Sequence, residues 1–438
     1  MIPRHFRPQQ LPPYRMRLSS TVRRVLLLFG AMATALHAQG TGVATSDVFQ
    51  RYADRVVKIQ VVETGSAAKS GIGSGFFVSA DGMLVTNYHV IAELIQSPGR
   101  YRAEFVDAAG ATHAAELKGV DVISDLAILS TTSPPGRHFD ITVDAVPQGA
   151  RLYSLGHPRD LGLSIVEGTY NGQLAHTRHP RIHFTGAINQ GMSGGPTITA
   201  DGRVIGVNVA TAGNQIGFLV PVAQVAALLT QVRTPAGAPP VQTLEQVAAA
   251  LRADQDGWLS RLFAAEPKNI SLGPWRVVTE PTPTFRCWAD ADRTRERPYE
   301  SVVHSCETDD DVYLASDHST GTVRLEHQLL TTRQLNAVRF YSLFTSTFGA
   351  DGAPGGDVEH VTSWRCESRN VKHDDTRMRA VLCLRRYRKL EGLYDGQLKV
   401  AVLGRRNAGL ISTLSVAGAS FENLQRLTTR YLGLIAWK

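Results

Sequence analysis

Cysteine is scarce in this chain and unevenly placed. The 438 residues include only four Cys, and the first of them is Cys287, so the first two thirds of the chain contain none. Disulfides therefore cannot stabilise that part, which must depend on packing. No CxxC spacing occurs, which argues against a structural zinc site. We expect neither a metal nor a cofactor.

Long apolar runs are also lacking. No stretch approaches the roughly 18 to 20 apolar residues that a membrane-spanning helix needs. The apolar run at 25–35 is short, follows an arginine-rich stretch without acidic residues, and is followed by small residues, which is the layout of a secretory signal. We predict a signal peptide over 1–38 and an exported protein, periplasmic or secreted, with no membrane span after its removal. An uncleaved anchor is the alternative, and Met1 or Met16 can be the start.

The folded part lacks an excess of positive charge. The formal charge of +7 comes from 46 basic and 39 acidic residues, and six of the arginines lie in 1–38. Without them, 46 − 6 = 40 basic residues oppose 39 acidic ones, a net charge of +1. A nucleic-acid binder is expected to carry basic charge on its folded surface. We therefore expect no nucleic-acid partner.

Short apolar stretches separated by glycine turns dominate residues 46–232. Turns such as Ala80-Asp81-Gly82 and Ala200-Asp201-Gly202 are typical of hairpins, and strands at this density predict a sandwich or barrel. A proline-rich stretch follows, and then Thr243 with Gln246 forms the start of a capped helix. We assign 233–270 to this linker and helix.

Residues 271–438 are predicted to form a separate α+β domain of unknown function. Cys287 and Cys366 open two similar units, each with a second Cys, strand-like hairpins and then a helix, over 332–344 and 422–434. Either an internal duplication or chance accounts for the likeness. Four cysteines allow three disulfide pairings, and an oxidising compartment favours their formation. We favour the short loops, Cys287 with Cys306 and Cys366 with Cys383.

Residues suited to nucleophilic catalysis occur in three segments of the first domain. His89 lies in 73–91, Asp125 in 121–129 and Ser193 in 187–196. A serine hydroxyl needs an adjacent base, histidine supplies one near neutral pH, and a buried carboxylate fixes the histidine tautomer. Glycines around Ser193 allow a sharp turn, so the amides of Gly191 and Ser193 can point at a developing oxyanion. The order His, Asp, Ser excludes the subtilisin and α/β-hydrolase orders.

Six motifs together resemble the HtrA/Deg-like branch of the trypsin-fold serine proteases: GSGF, TNYHV, SDLAIL, LGHP, AINQGMSGGP and GFLVPV. The resemblance covers 46 to about 228. It implies a mainly β fold, a chymotrypsin-like double β-barrel, with His89, Asp125 and Ser193 in the cleft between the barrels. It also implies peptide-bond hydrolysis through an acyl-enzyme. The chain departs from the family in showing no PDZ-like pattern after the protease.

Two further departures bear on activation and specificity. Met192 stands where digestive trypsin-fold enzymes have an aspartate that pairs with a newly cut N-terminus, so activation by that route is not expected. No acidic residue precedes the nucleophile where Arg- or Lys-specific enzymes carry one. We expect small or medium aliphatic residues at the cleaved position. The predicted pocket walls are Ala187, Ile188, Asn189, Gln190, Val207 and Ile216.

Three function classes fit the sequence. The first is an exported serine endopeptidase that acts on unfolded polypeptides in protein quality control. The second is a non-catalytic chaperone or binding protein on the same fold, and the third is a narrow processing protease with one dedicated partner. The resemblance makes a homo-oligomer an alternative to a monomer, and no feature of the sequence decides between them.

Overall fold

We describe a computed structural model of the chain. It describes residues 43–234, 242–294, 296–308, 311–350, 359–373 and 376–437. The predicted signal peptide, 1–38, lies outside the described residues, as does 235–241 of the proline-rich linker.

Six antiparallel strands close the first barrel. They follow a short helix, α1 (Thr45–Tyr52), and pair in the order β1-β2-β3-β6-β5-β4. The barrel strands are β1 (Val56–Glu63), β2 (Lys69–Phe77), β3 (Met83–Thr86), β4 (Tyr101–Val106), β5 (Thr112–Asp121) and β6 (Leu126–Ser130). Helix α2 (Tyr88–Gln96) follows β3. Apolar residues on this helix and on β1 share one core cluster because both turn an apolar face inward.

A second barrel of six strands closes in the order β10-β11-β12-β9-β8-β7. Its strands are β7 (Arg151–Gly156), β8 (Ser164–Gln173), β9 (Ile182–Thr185), β10 (Pro196–Ile198), β11 (Val204–Thr211) and β12 (Gly217–Pro221). Phe76 of the first barrel and Tyr153 of the second belong to one buried cluster, so the two barrels share an apolar interface. The predicted double-barrel fold is confirmed.

Two helices lead out of the second barrel. Helix α3 (Val222–Arg233) packs back on both barrels, and α4 (Leu244–Ala264) begins with the predicted capping box between Thr243 and Gln246. The first half of α4 buries Val247 in the cluster of the first barrel. Its second half buries Trp258 in the core of the C-terminal region, so this helix joins the two parts.

The C-terminal region is built on a seven-stranded antiparallel sheet, with strand order β15-β16-β19-β23-β22-β21-β20. Its strands are β15 (Phe285–Asp292), β16 (Glu300–Thr308), β19 (Val323–Thr331), β20 (Arg365–His373), β21 (Thr376–Arg386), β22 (Leu393–Arg405) and β23 (Ala408–Ser420). Smaller pieces are β13 (Lys268–Leu272), β14 (Trp275–Thr279), β17 (Val312–Ala315), β18 (His318–Thr320) and β24 (Ala436–Trp437). The helices are α5 (Ala337–Ala350) and α6 (Phe421–Gly433).

The two cysteine-containing hairpins form opposite edges of that sheet. Cys287 is bonded to Cys306 across β15 and β16, and Cys366 to Cys383 across β20 and β21, in the two short loops that the sequence favoured. Each hairpin is followed by further strands and a helix, as a duplication would give. The second unit nevertheless contributes four strands to the sheet and the first three, so the duplication stays a hypothesis.

The C-terminal region packs against the first barrel and its helix α2. Val312, Leu314 and Tyr387 are buried in the same cluster as residues of the first barrel and α2. Residues 45–438 accordingly form one compact unit. None of the helices in the described ranges is both long and apolar enough to cross a membrane.

Candidate active site

His89 lies in the first turn of α2, directly after the barrel strand β3. Its Nδ1 lies 2.7 Å from Asp125 Oδ2, and its backbone N–H donates to Asp125 Oδ1 at 2.9 Å. The first N–H groups of a helix have no partner within the helix, and a carboxylate there is stabilised by the helix dipole. Asp125 therefore fixes both the ring and the backbone of His89.

Asp125 is completely buried in the turn between β5 and β6. Its φ of 61° is left-handed, a conformation that aspartate tolerates better than most residues, and the turn aims the carboxylate at α2. The Asn87 side-chain amide donates to the Asp125 carbonyl at 2.7 Å and so holds the turn. Because the carboxylate accepts from Nδ1–H, His89 keeps Nε2 free to act as a base.

Ser193 lies on the loop that enters β10, pressed against the first barrel. The Ser74 N–H donates to the Ser193 carbonyl at 2.8 Å. A Cβ on Gly194 would lie 2.2 Å from the Ser74 carbonyl oxygen and 3.0 Å from the Asn87 nitrogen, so only glycine fits at this position. The nucleophile loop thus touches the residue that precedes α2. No hydrogen bond joins Ser193 Oγ to another group in the described ranges, and such bonds often tighten only when substrate binds.

Two backbone N–H groups are available beside Ser193. Within the described residues, the N–H groups of Gly191 and Ser193 donate to no carbonyl or side chain. The Arg159 N–H donates to the Gln190 carbonyl at 2.9 Å. In a trans peptide the C=O and the following N–H point in opposite directions, so this bond turns the Gly191 N–H away from Arg159. The pair can bind a developing oxyanion.

Met192 anchors this loop by burial. Its side chain is fully buried in the second-barrel cluster with Phe184 and Leu219. Its carbonyl accepts from Gly195 N–H at 3.0 Å and from the Asn208 side-chain amide at 3.2 Å. Packing and these bonds hold the loop in position, which is the task that an ion pair to a newly cut N-terminus performs in digestive trypsin-fold enzymes.

Two polar residues of the site were missed by the sequence analysis. Ser74 Oγ donates to the Gly191 carbonyl at 2.7 Å and accepts from the His157 N–H at 2.9 Å. The buried Asn208 side chain forms hydrogen bonds with the hydroxyls of Ser154 and Thr197 and with the Met192 carbonyl of the loop before Ser193. A lone asparagine in the apolar run VIGVNVA was the available signal, because a buried amide must find hydrogen-bond partners.

Comparison with known proteins agrees with this geometry. Residues 73–207 match the trypsin-like peptidase domain family. Mitochondrial serine protease HTRA2 of Bos taurus is 32% identical over 213 residues, which are 44% of this chain and 44% of that protein. The barrel region is similar in sequence to trypsin-like peptidase domains and to the HtrA/Deg serine proteases. The chain spans less than half the length of the curated relatives it matches.

Other relatives are similar to comparable shares of the chain. A probable periplasmic serine endoprotease, DegP-like, of Bartonella henselae is 32% identical over 36% of this chain and 33% of its own length. A crystal structure of the serine endoprotease from Yersinia pestis is 26% identical, with a TM-score of 0.37, and covers 44% of this chain and 67% of that one.

The predicted pocket residues of the protease domain divide into two groups. Ala187, Asn189 and Gln190 are exposed on the loop before Ser193, and Ile216 is 40% exposed in the turn after β11. Ile188 and Val207 are buried in two different core clusters instead. Val207 has no exposed surface, so it was wrongly predicted as a pocket wall. Its side chain packs between the barrels.

Metal binding finds no support in this region. The described part of the chain contains no group of three or more His, Cys, Asp or Glu side chains that could hold a metal ion. His179, from a histidine-rich stretch of the sequence, contacts Asp254 of α4 at 2.9 Å instead.

Proposed function

We propose that the chain is a serine endopeptidase that hydrolyses peptide bonds with His89, Asp125 and Ser193. The observation that carries the proposal is the buried carboxylate of Asp125, which binds both the ring and the backbone of His89. A carboxylate so placed orients the imidazole and stabilises the imidazolium that forms when a proton is taken up. The similarity of 73–207 to trypsin-like peptidase domains supports the same assignment.

The reaction proceeds in two halves. Ser193 Oγ attacks the scissile carbonyl carbon while His89 Nε2 takes its proton, and the N–H groups of Gly191 and Ser193 bind the oxyanion. His89 then protonates the leaving amine, which releases the first product and leaves an acyl-enzyme. Water, deprotonated by His89, attacks the ester carbonyl, and the serine regains its proton.

The substrates in this proposal are unfolded polypeptides of an exported compartment. Strand β10 pairs with β11 only as far as Val207. From Asn208 onward, this side of β11, which faces Ser193, pairs with no other strand in the described part. An extended chain can add to such an edge through backbone hydrogen bonds. An unfolded polypeptide presents such extended stretches along its whole length, which supports a role in quality control.

The central experiment is digestion of casein by the purified mature protein beside Ser193→Ala. We expect Ser193→Ala and His89→Ala each to lower turnover by about 10⁴-fold or more, and Asp125→Asn to be severe because it permits the wrong tautomer. A fluorophosphonate probe should label Ser193, and Ser260→Ala, on the exposed face of α4, should label normally. Turnover that survives in Ser193→Ala, or probe that fails to bind active protein, refutes the mechanism and favours a non-catalytic binding protein.

Cleavage profiling tests the pocket. We predict Val, Ala, Ile or Leu before the scissile bond, because Ala187 leaves that position without a charge. A profile dominated by Arg, Lys or Glu contradicts this prediction. Cleavage of one protein alone in a whole exported proteome favours the narrow processing protease over the quality-control role.

A further inference from the structure

A hairpin of the C-terminal region packs on the helix that carries His89. We call this segment, β17 with β18 over 312–320, the cleft hairpin. The buried Gln96 side-chain amide at the end of α2 donates to the Leu314 carbonyl at 2.7 Å. The Ser316 hydroxyl donates to the His89 carbonyl at 3.2 Å. The hairpin is therefore fixed to α2 at both ends of that helix.

The base of the cleft hairpin is fixed to the large sheet. The Thr320 hydroxyl lies 2.8 Å from the Tyr387 hydroxyl in a buried contact, and Gly418 passes so close to Thr320 that it has no room for a side chain. The Gly321 N–H donates to the Ala417 carbonyl at 3.3 Å. These contacts tie the hairpin to the body of the molecule, so it can serve as a fixed wall.

Successive side chains of β17 point to opposite faces, and this places Tyr313 beside His89. Val312 and Leu314 are buried against the first barrel, so Tyr313 between them points the opposite way. The Tyr313 ring centre lies 5.3 Å from that of His89, with the planes inclined by 48°. Burial raises the pKa of the Tyr313 phenol, with Asp125 and Asp311 adding to the rise, so the ring is neutral at working pH.

Tyr313 also lies beside the unpaired end of β11, the edge to which an extended substrate can add. A cavity of about 370 Å³ lies between the end of β11, represented by Val209 and Thr211, and residues of the C-terminal region, Tyr313 and Arg286. That volume is within the range of ligand sites, roughly 300–1,000 Å³. The hairpin thus leaves an open cavity beside the end of β11, where the edge that an extended peptide can join continues.

An extended substrate on β11 places successive side chains on opposite sides. The side chain of the cleaved residue points toward the loop 187–190 of the second barrel. The side chain immediately before it then points toward His89 and Tyr313. We propose that Tyr313, on the C-terminal region, forms the wall of this second subsite and selects an uncharged aliphatic side chain there. The proposal rests on the proposed endopeptidase function.

Surface chemistry defines that preference. The Tyr313 ring and the His89 ring beside it offer apolar contact. A charged side chain would lose its hydration against these rings without gaining a partner. We therefore expect Val, Leu or Pro to be accepted before the cleaved residue in preference to charged side chains.

The test is cleavage profiling with a peptide library, using the full mature chain and the variants Tyr313→Ala, Tyr313→Phe and Tyr313→Trp. Tyr313→Ala should flatten the preference at the second position and raise KM for the best peptide about tenfold, the lower end of what a lost apolar contact changes. The preference at the cleaved position should stay unchanged. Tyr313→Phe should keep the profile, and Tyr313→Trp should shift it toward Ala and Gly.

Controls separate a local from a general effect. Tyr341→Ala truncates a tyrosine that is 41% exposed on α5 and should change neither KM nor the profile. If Tyr313→Ala does not fold, the other two variants still test the proposal, since Tyr313→Phe should keep the profile and Tyr313→Trp should shift it. An unchanged profile in folded Tyr313→Ala or Tyr313→Trp overturns the proposal, and so does a rise in kcat/KM, which would make the hairpin a cover. Wild-type protein without cleavage or fluorophosphonate labelling instead refutes the proposed function.

Discussion

At the scale of single residues, Met192 shows how the oxyanion loop can be ordered without proteolytic activation. A buried apolar side chain stands directly before the nucleophile, and its carbonyl is held by Asn208 and Gly195. The two N–H groups that we propose bind the oxyanion, those of Gly191 and Ser193, lie on either side of this residue. The position of the loop therefore depends on how well Met192 fills its place in the second barrel.

Met192→Ala should lower both stability and turnover. Truncation of a buried methionine costs about 2–5 kcal/mol because a cavity remains. The matched control is Met378→Ala, in the core of the C-terminal sheet, where the side chain is 3% exposed. Urea denaturation should register a loss in both variants, whereas kcat should fall only in Met192→Ala. Equal kcat values in the two variants would contradict the anchoring role.

At the scale of elements, α4 fastens the protease domain to the C-terminal region. Gln255 on this helix is 5% exposed and makes three bonds to the end of β23 and the start of α6. Its side chain donates to the Gly418 carbonyl and accepts from the Ser420 N–H and the Asn423 amide. One buried side chain thus forms hydrogen bonds with three groups on two elements of the C-terminal region.

Gln255→Leu should destabilise the fold by about 1–3 kcal/mol or more, the cost of leaving a buried polar group without a partner. The same substitution at Gln425, which is exposed on α6, serves as the control and should change stability little. Thermal melts of the two variants measure the difference. Matching melting temperatures would mean that water reaches the Gly418 carbonyl and replaces the amide.

Local and distant interactions differ in how far the sequence predicts them. The capping box at Thr243 and Gln246 could be predicted because its partners are three residues apart. The roles of His89, Asp125 and Ser193 came from motif chemistry. The cleft hairpin could not be predicted, since Gln96 and Leu314 are 218 residues apart and only docking of the sheet brings them together. For the same reason Val207 was assigned to the pocket, although the packing of the two barrels buries it.

At the scale of the whole molecule, a buried histidine in the C-terminal sheet makes stability depend on pH. His327 Nε2–H donates to the Val278 carbonyl at 2.9 Å, and Nδ1 accepts from the Ser412 hydroxyl at 2.7 Å. The Tyr431 hydroxyl donates to Ser412 Oγ at 2.6 Å, so neutral histidine satisfies the chain of bonds. Burial lowers the pKa of His327 to about 4.

Acid should therefore weaken the fold before the carboxylates titrate. The unfolded chain takes up this proton near pH 6.5 and the folded chain only near 4, so the stabilisation is complete above 6.5 and is lost as the pH falls to about 4. The shift corresponds to about 3 kcal/mol. Urea midpoints between pH 7 and 4 should fall less steeply in His327→Gln. His304 and His157, whose pKa values burial also lowers, contribute to the remaining slope. Equal slopes would show that His327 does not titrate in this range.

The two disulfides should differ in their effect on the site although they contribute similarly to stability. They close sequence separations of 19 and 17 residues, and the chain-entropy model gives roughly 3 kcal/mol for loops of this length. Cys306 lies seven positions before Tyr313, in the chain segment that enters the cleft hairpin, whereas Cys383 lies four positions before Tyr387, which contacts the hairpin only near its base. Loss of the first bond should therefore loosen the strand that leads into the cleft hairpin.

The test compares the double variants Cys287→Ser with Cys306→Ser, and Cys366→Ser with Cys383→Ser, in the full chain. Both should melt at a lower temperature than the wild type, and mild reduction of the wild type should reproduce that loss. Only the first pair should raise KM for the best peptide. Fluorophosphonate labelling of Ser193 should persist in both, because the barrels contain no cysteine. Four free thiols in protein purified from the exported compartment would refute the disulfides. A KM that changes equally in both variants would show that the cleft depends on the whole sheet and not on its neighbouring edge.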